Sequence, residues 1–196
     1  MIEEITKRRS IRKYKDTPVP DDLIREIVQA GILAPSSKNR QPWRFVVTSG
    51  KSKDEAVAVM RAGLEREERE PLLPDSKQHL RAAKHTAEIM DQAQVVIFVL
   101  NTRGKDLSQK LTTEERVYEI CNAQSIGAAI ENMTLSAIHL GLGSLWICDT
   151  YFAYWELREW LGGKEELIGA LALGYGAEEP LARPRKSMED VVEWRN

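Results

Sequence analysis

Residues 34–45 read Ala34-Pro35-Ser36-Ser37-Lys38-Asn39-Arg40-Gln41-Pro42-Trp43-Arg44-Phe45. Pro35 ends the apolar helix pattern before it, because proline lacks a backbone N–H and restricts the residue in front of it. Ser36, Ser37 and Asn39 then place short polar side chains where backbone N–H groups are free, which is typical of a turn that holds an oxygen-rich ligand. An ordinary surface turn followed by a core tryptophan has the same residue types, so both interpretations stay open.

Working outward, the stretch joins a helix pattern over residues 21–33 to a short strand pattern over residues 45–48. The run Val95-Val96-Ile97-Phe98-Val99-Leu100 is continuously apolar, which predicts a central strand buried on both faces. Residues 114–140 form the longest helix pattern and are apolar nearly all round, so this helix is either deeply buried or sandwiched between subunits. A further strand pattern over 166–175 completes an alternation of helices and strands that predicts an α+β fold.

Residues 53–90 predict a helical excursion of variable length. A helix over 54–70 has a charge-laced second half, a Pro-bounded break follows at 71–74, and a second helix covers about 76–89. Such an exposed segment can close over a pocket as a lid, although a plain surface insertion fits as well. Residues 49–52 predict a turn ahead of it, and the isolated glycine there excludes a phosphate loop.

Length and composition restrict the function classes. The 196 residues suit one domain spanning 1–196, and a net charge of −2 gives no overall basic field for nucleic acid. No apolar run reaches the roughly 20 residues of a membrane span, and the acidic N-terminus is unlike a signal peptide, so we expect a cytoplasmic protein. The two cysteines and three scattered histidines show no metal-ligand spacing or nucleophile motif, so we predict neither a metal site nor a catalytic nucleophile.

Two cationic segments far apart in the sequence suggest an anion site. Residues 7–15 contain six basic residues in nine positions, and the tail adds Arg183 and Arg185, which point the same way in an extended chain. Arginine binds phosphate bidentately, so a phosphorylated cofactor with a large aromatic ring would suit this composition. A nucleic-acid arm or a solvated basic turn remain alternatives for residues 7–15. Residues 141–144 read Gly-Leu-Gly-Ser, but they follow a helix and precede a strand, so a dinucleotide fingerprint is rejected.

The sequence resembles the nitroreductase family of FMN-dependent NAD(P)H oxidoreductases over nearly its whole length outside residues 53–90. The matching motifs are Arg8-Arg9-Ser10-Ile11-Arg12-Lys13-Tyr14, the quoted stretch 34–45, Gly141-Leu142-Gly143-Ser144-Leu145-Trp146-Ile147, and Leu171-Ala172-Leu173-Gly174-Tyr175 through Arg183-Pro184-Arg185-Lys186. The first two motifs together are fairly specific, and the others support them.

The resemblance implies an α+β homodimer with a central, mostly antiparallel sheet packed with helices. Its long buried central helix would lie at the dimer interface, and FMN would bind there. Arg8 would face the phosphate of FMN, and Arg12 the pyrimidine edge of its ring. The other implied cofactor-binding residues are Arg9 and Ser10 beside them, Pro35, Ser36, Ser37 and Asn39 reaching the FMN of the partner subunit, Trp146 and Ile147 near the ring, and Arg183 and Arg185 at the phosphate.

The implied activity passes a hydride from NAD(P)H through flavin N5 to a flat acceptor such as a nitroaromatic or a quinone, in ping-pong order. The flavin carries the chemistry, and Arg12 would stabilise the anionic reduced ring. One stretch departs from the family pattern: residues 84–88 read Lys84-His85-Thr86-Ala87-Glu88, where some members place Asn and Lys against the ring.

Three other functions remain open. A specialised family member would consume the flavin, dehalogenate aromatics or oxidise peptide heterocycles. A flavin-binding protein would hold the cofactor without NAD(P)H turnover. A nucleic-acid binder would use the basic arm, and its affinity would fall with salt.

Overall fold

The computed structural model describes residues 1–195. The α-helices are Glu3–Lys7 (α1), Asp21–Ile32 (α2), Gly50–Arg69 (α3), Leu80–Gln92 (α4), Thr113–His139 (α5), Tyr154–Trp160 (α6) and Met188–Val191 (α7). The strands are Trp43–Ser49 (β1), Val95–Asn101 (β2), Gly143–Ile147 (β3) and Glu166–Gly174 (β4). Short 3₁₀ helices lie at Ser37–Asn39, Pro74–His79 and Asp149–Ala153.

The four strands form one sheet in the order β1-β2-β4-β3, and every neighbouring pair is antiparallel. β2 pairs on both sides, and each of its residues is buried. This confirms the predicted central strand over Val95–Leu100. It also confirms the α+β class with an antiparallel sheet packed with helices.

Helices cover both faces of the sheet. Because successive side chains of a strand point to opposite faces, Val96 and Phe98 pack against the layer of α3, α4 and α6. Val95 and Ile97 pack against the layer of α2 and α5 instead. This two-sided covering is the physical reason why β2 is apolar at consecutive positions.

The long helix α5 has well-defined ends, which lie within one residue of the predicted ones. At its start, Thr112 and Glu115 form a capping box in which each side chain accepts the other residue's backbone N–H. At its end, Gly141 has a φ of +77°, and the N–H of Leu142 donates to the carbonyl of Ala137 at 2.8 Å. These are features of a Schellman motif, which turns the chain directly into β3.

Burial of α5 differs between its two halves. The side chains of Ile126, Ile130 and Met133 are fully buried in the layer beneath the sheet. In the first half, Val117 and Ile120 are each 52% exposed. The apolar residues of α5 are therefore covered by the rest of this chain mainly in the second half of the helix.

The two helices predicted within residues 53–90 are present as α3 and α4, but the prediction that this segment is exposed is wrong for most of it. α3 and α4 bury Met60, Leu64, Ala83 and Met90 against the sheet, so they form one of its two covering layers. The predicted turn over 49–52 is also wrong beyond its first residue, because α3 begins at Gly50.

The break between α3 and α4 is held by a buried carboxylate. Glu67 is 4% exposed, and its oxygens accept the backbone N–H groups of Leu72 at 2.9 Å and Leu73 at 2.8 Å. Arg66 pairs with Glu67 and, at 2.9 Å, with Glu156 of α6. A lid role stays a prediction, and it concerns only the surface segment 70–79.

The tail after β4 runs extended beside the N-terminal segment as far as Ala177. The N–H of Lys15 donates to the carbonyl of Tyr175, and the N–H of Ala177 donates to the carbonyl of Lys13, both at 2.8 Å. Beyond it, Leu181 and Trp194 are 91% and 77% exposed. Within the described range 1–195, no helix is both long and apolar enough to cross a membrane.

Candidate functional site

The two cationic segments predicted from the sequence meet in one cleft of about 380 Å³, named here the arginine cleft. One wall comes from the segment that follows α1, and the other from the extended tail. The lining residues are Ile5, Thr6, Arg8, Arg9, Ser10 and Arg12 on one side, and Pro180, Leu181, Ala182, Arg183 and Arg185 on the other. Six of the predicted cofactor-binding residues are therefore neighbours.

Backbone hydrogen bonds position the N-terminal wall. Ser10 and Ser144 form an isolated parallel bridge, and the N–H of Ile11 donates to the carbonyl of Ser144 at 3.0 Å. A side chain at Gly143 would lie 2.7 Å from Ile11, so glycine is needed for this close approach. The segment is therefore fixed along the outer edge of β3.

The same wall is tied to the tail at Arg12. Its backbone N–H donates to Glu178 Oε1 at 2.5 Å, so the tail carboxylate is occupied by the backbone. The guanidinium of Arg12 is left with a hydrogen bond of 3.3 Å to the carbonyl of Ser10. The positive charge of Arg12 is therefore available to the cleft. Glu178 connects the two walls through its hydrogen bond from the Arg12 backbone.

Positive charge in the cleft is poorly neutralised by the chain itself. Among residues 1–195, Arg8 is the one cleft arginine with a carboxylate within 4.0 Å of its guanidinium, and that distance, to Glu131, is 4.0 Å. Arg9 and Arg185 donate to nearby backbone carbonyls instead. Five guanidinium groups beside one distant carboxylate suit an anionic ligand such as a phosphate monoester.

Pro35, Ser36, Ser37 and Asn39 do not line this cleft. They belong to a strained turn over residues 35–41, named here the Ser-Asn loop. The φ angles of Lys38, Asn39 and Gln41 are 53°, 52° and 47°. Residues other than glycine adopt this left-handed region at a cost in conformational energy. Such strain is found where the surrounding structure imposes it, often at binding sites.

Local hydrogen bonds impose the loop's shape. The N–H of Gln41 donates to Ser36 Oγ at 3.0 Å, and the N–H of Ser37 donates to Ser125 Oγ of α5 at 3.2 Å. The guanidinium of Arg40 lies over the ring of Tyr118 at 4.4 Å. The loop is thereby attached to α5, near the first half of that helix, where apolar side chains are exposed.

Trp146 and Ile147 lie on opposite faces of β3. Ile147 is 2% exposed and packs into the core, whereas Trp146 is 40% exposed. A side chain at Gly127 of α5 would lie 3.7 Å from the indole, and one at Gly169 of β4 would lie 3.8 Å from Nε1. Both distances are ordinary van der Waals contacts, so Gly127 and Gly169 lie beside the half-exposed indole at the edge of the sheet.

Some elements of the site were not predicted from the sequence. Glu178 and Glu131 contact the cleft arginines, but a single acidic residue in a tail or helix carries no signal that places it there. Lys84, His85 and Glu88 were named because of the family pattern, and none of them lines the cleft. His85 pairs with Glu88 at 2.9 Å on the surface of α4. Within residues 1–195, no group of three or more His, Cys, Asp or Glu is placed to hold a metal ion.

Comparison with known proteins agrees with this architecture. The family described as "Nitroreductase family" matches residues 5–175. The chain is 30% identical over 202 residues to a protein of Thermus thermophilus named NADH dehydrogenase, covering 96% of this chain and 93% of that protein.

Two solved structures show the same fold. One is a Desulfovibrio desulfuricans protein described as a nitroreductase in complex with FMN, with a TM-score of 0.74, 27% identity, and coverage of 100% of this chain and 96% of that chain. The other is a BluB-like flavoprotein of Clostridium difficile, with a TM-score of 0.79, 27% identity, and coverage of 99% and 98%.

Proposed function

Because the chain belongs to the nitroreductase family, we propose that it is an FMN-dependent oxidoreductase. It takes a hydride from NADH or NADPH and passes it to a flat acceptor such as a nitroaromatic or a quinone. The observation that carries this proposal is the arginine cleft, where cationic side chains from both ends of the chain meet with little carboxylate to neutralise them.

The cleft residues fit the phosphate end of FMN. Arg8, Arg183 and Arg185 bind the phosphate, since guanidinium groups match phosphate oxygens bidentately. Ser10 and Arg9 complete the same wall. Because these contacts reach only the phosphate, they determine where the cofactor sits and leave its redox chemistry unaffected.

FMN supplies a ring nitrogen that accepts and returns a hydride. With FMN bound, Arg12 would stabilise negative charge at the pyrimidine edge of the ring, because a fixed cation lowers the energy of a nearby anion. The half-exposed Trp146 would give a flat surface near the ring, where a nicotinamide and then an acceptor would bind in turn. That shared place makes the kinetics ping-pong.

The second half of the site comes from a second copy of the chain. Ser36, Ser37 and Asn39 lie outside the arginine cleft of their own chain. In the proposed dimer they would contact the cofactor of the partner subunit. The open apolar face of α5 around Val117 and Ile120 supports this homodimer, since exposed apolar helix faces mark interfaces.

The visible spectrum of the protein tests the proposal. After loading with FMN and desalting, we expect absorbance near roughly 370 and 450 nm that bleaches when NADH or NADPH is added without air. Re-oxidation by a quinone or a nitroaromatic would complete the cycle. A colourless protein would contradict FMN binding.

Two other spectral outcomes would point elsewhere. Flavin that stays yellow in excess reductant would indicate a binding protein without turnover. Loss of the flavin itself during turnover would indicate a specialised member of the family.

A further inference from the structure

Three buried or half-buried side chains meet where β2 ends, and they are named here the carboxyl latch. Asn101, the last residue of β2, is fully buried. Its side-chain amide donates to Glu166 Oε2 of β4 at 2.9 Å and to Glu119 Oε2 of α5 at 3.2 Å. One amide group therefore holds two carboxyl groups against each other, away from the arginine cleft.

The latch also holds the loop that connects β2 to α5, residues 102–112. The second oxygen of Glu119 accepts the N–H of Lys105 at 3.1 Å, and the side-chain oxygen of Asn101 accepts the N–H of Arg103 at 3.1 Å. A side chain at Gly104 would lie 2.1 Å from Glu166 Oε2, so the backbone passes directly over that carboxyl. The loop thus depends on where the two carboxyl groups stand.

The groups that face Glu166 are acidic or neutral. Glu119 and Asp106 act on it as negative charges, and the phenols of Tyr151 and Tyr154 lie close enough to sense it. Burial, the largest cause, raises the pKa of Tyr154 to about 12, so that ring stays neutral.

Nearby cations are engaged with other carboxylates. Arg158 contacts Asp106 at 3.5 Å, while Lys105 pairs with Glu115 and Arg44 pairs with Glu165. Among the described residues, no ion pair to a basic side chain compensates Glu166. Two charged carboxylates at this position would therefore repel each other, and one proton shared between them removes the repulsion.

We propose that the carboxyl latch controls the 102–112 loop through one proton. When Glu166 and Glu119 share this proton the loop is closed, and when the proton is lost the loop opens. Opening frees Glu119 to turn toward water along the surface of α5 and releases the N–H of Lys105. The loop leads into the first half of α5, which carries the exposed apolar face. The carboxyl latch therefore also controls how well ordered this part of the helix is. The proposal does not depend on the proposed FMN chemistry.

The direction of the pH dependence follows from Glu166. Burial raises the pKa of Glu166 from its ordinary value of 4.5 to about 7; the hydrogen bond from Asn101 opposes this, and the interaction with Glu119 adds to it. The closed form therefore binds the proton more tightly than the open form, so acid favours closure. The opening equilibrium should rise about tenfold per pH unit between about 5 and 7 and level off above that.

Amide hydrogen exchange at residues 103–105, corrected for the intrinsic pH dependence of exchange, tests this on the full chain. In the natural protein we expect the corrected rate to rise about tenfold per pH unit up to about pH 7. Glu166→Gln should remain protected and flat with pH, because its amide donates to Glu119 at every pH. Glu165→Gln is the matched control: Glu165 is next to Glu166 in the sequence but pairs with Arg44, so this variant should keep the natural profile.

A flat profile in the natural protein, or an unchanged rise in Glu166→Gln, would overturn the proposal. A carbon-13 NMR titration of the Glu166 carboxyl in the natural protein provides a test that needs no variant: a midpoint near 7 supports the proposal, and a midpoint near 4.5 contradicts it. In Glu119→Gln the negative neighbour is gone, so we expect that midpoint to fall. An unaltered midpoint would show that Glu119 does not share the proton.

Discussion

The arginine cleft and the Ser-Asn loop differ in how their polar groups are used: those of the cleft are free to bind an anion, whereas those of the loop are mostly hydrogen-bonded within the chain. The cleft joins residues from both ends of the chain, with Arg12 and Glu178 in contact although 166 positions separate them. The Ser-Asn loop is local in sequence, yet its polar groups mostly satisfy one another and α5. Closeness in sequence therefore does not indicate a complete binding site. Hydrogen bonds within the loop and to α5 account for its strained backbone, but its polar side chains do not line the arginine cleft of their own chain.

Removing the cleft's charge should give the largest effect. We expect the double variant Arg8→Ala/Arg185→Ala to raise the Kd for FMN by about 10²- to 10⁴-fold, since each charged hydrogen-bonding group contributes roughly 1.5–3 kcal/mol. Quenching of FMN fluorescence in a titration measures this. Lys51→Ala, which removes a highly exposed cation on α3, is the control and should leave the Kd unchanged. A change of less than about threefold in the double variant would contradict the phosphate role.

Mixing two inactive variants tests whether the cleft and the loop belong to one site across two chains. Arg8→Ala/Arg185→Ala damages the cleft, and Ser37→Ala/Asn39→Gly damages the loop while glycine still permits the left-handed backbone at 39. A mixed dimer has one intact site, built from the undamaged cleft of one chain and the undamaged loop of the other. Random pairing makes about half of the dimers mixed, so refolding the chains together should restore about a quarter of the natural activity. No recovery, with mixed dimers shown to form, would mean that the loop acts in its own chain or not at all.

Arg12→Ala should separate cofactor chemistry from cofactor binding. We expect anaerobic stopped-flow measurements to show flavin reduction slowed by about 10- to 100-fold, because a cation beside developing negative charge is lost. The Kd for FMN should change much less. Lys13→Ala, an exposed neighbour, is the control. Equal losses in rate and affinity would assign Arg12 to binding alone.

The smallest expected effect concerns the loop's backbone. Lys38→Gly removes a side chain from a residue with a φ of 53°, so we expect a gain of about 0.5 kcal/mol in the free energy of unfolding. Arg40→Gly, at a φ of −72°, should instead lower it. Urea denaturation measures both. A loss of stability in Lys38→Gly would show that the lysine side chain, and not the backbone, determines this turn.

Sequence patterns predicted the features whose cause is local. The unbroken aliphatic run identified β2 as a central strand, and the spacing of apolar residues identified α5. The arginines could be named from composition and family motifs. Their meeting in a single cleft was an expectation of the resemblance, because charge patterns alone do not indicate which segments of a chain come together.

Features caused by distant partners were missed. The helices α3 and α4 looked exposed because they are rich in charge, but Lys53 and Glu67 are buried with backbone partners of their own. The carboxyl latch joins one residue each from β2, α5 and β4, none of which is unusual in its own segment. Only the tertiary structure shows that two carboxyl groups share one amide.

The strand order β1-β2-β4-β3 has a consequence for synthesis on the ribosome. β1 and β2 can pair as soon as residue 101 has emerged, but β4, which fills the centre of the sheet, ends at residue 174. At about 5–20 residues per second, the most aliphatic strand of the protein waits for several seconds with one edge unpaired. Chains that stop before residue 174 should therefore be prone to aggregate through the unpaired edge of β2.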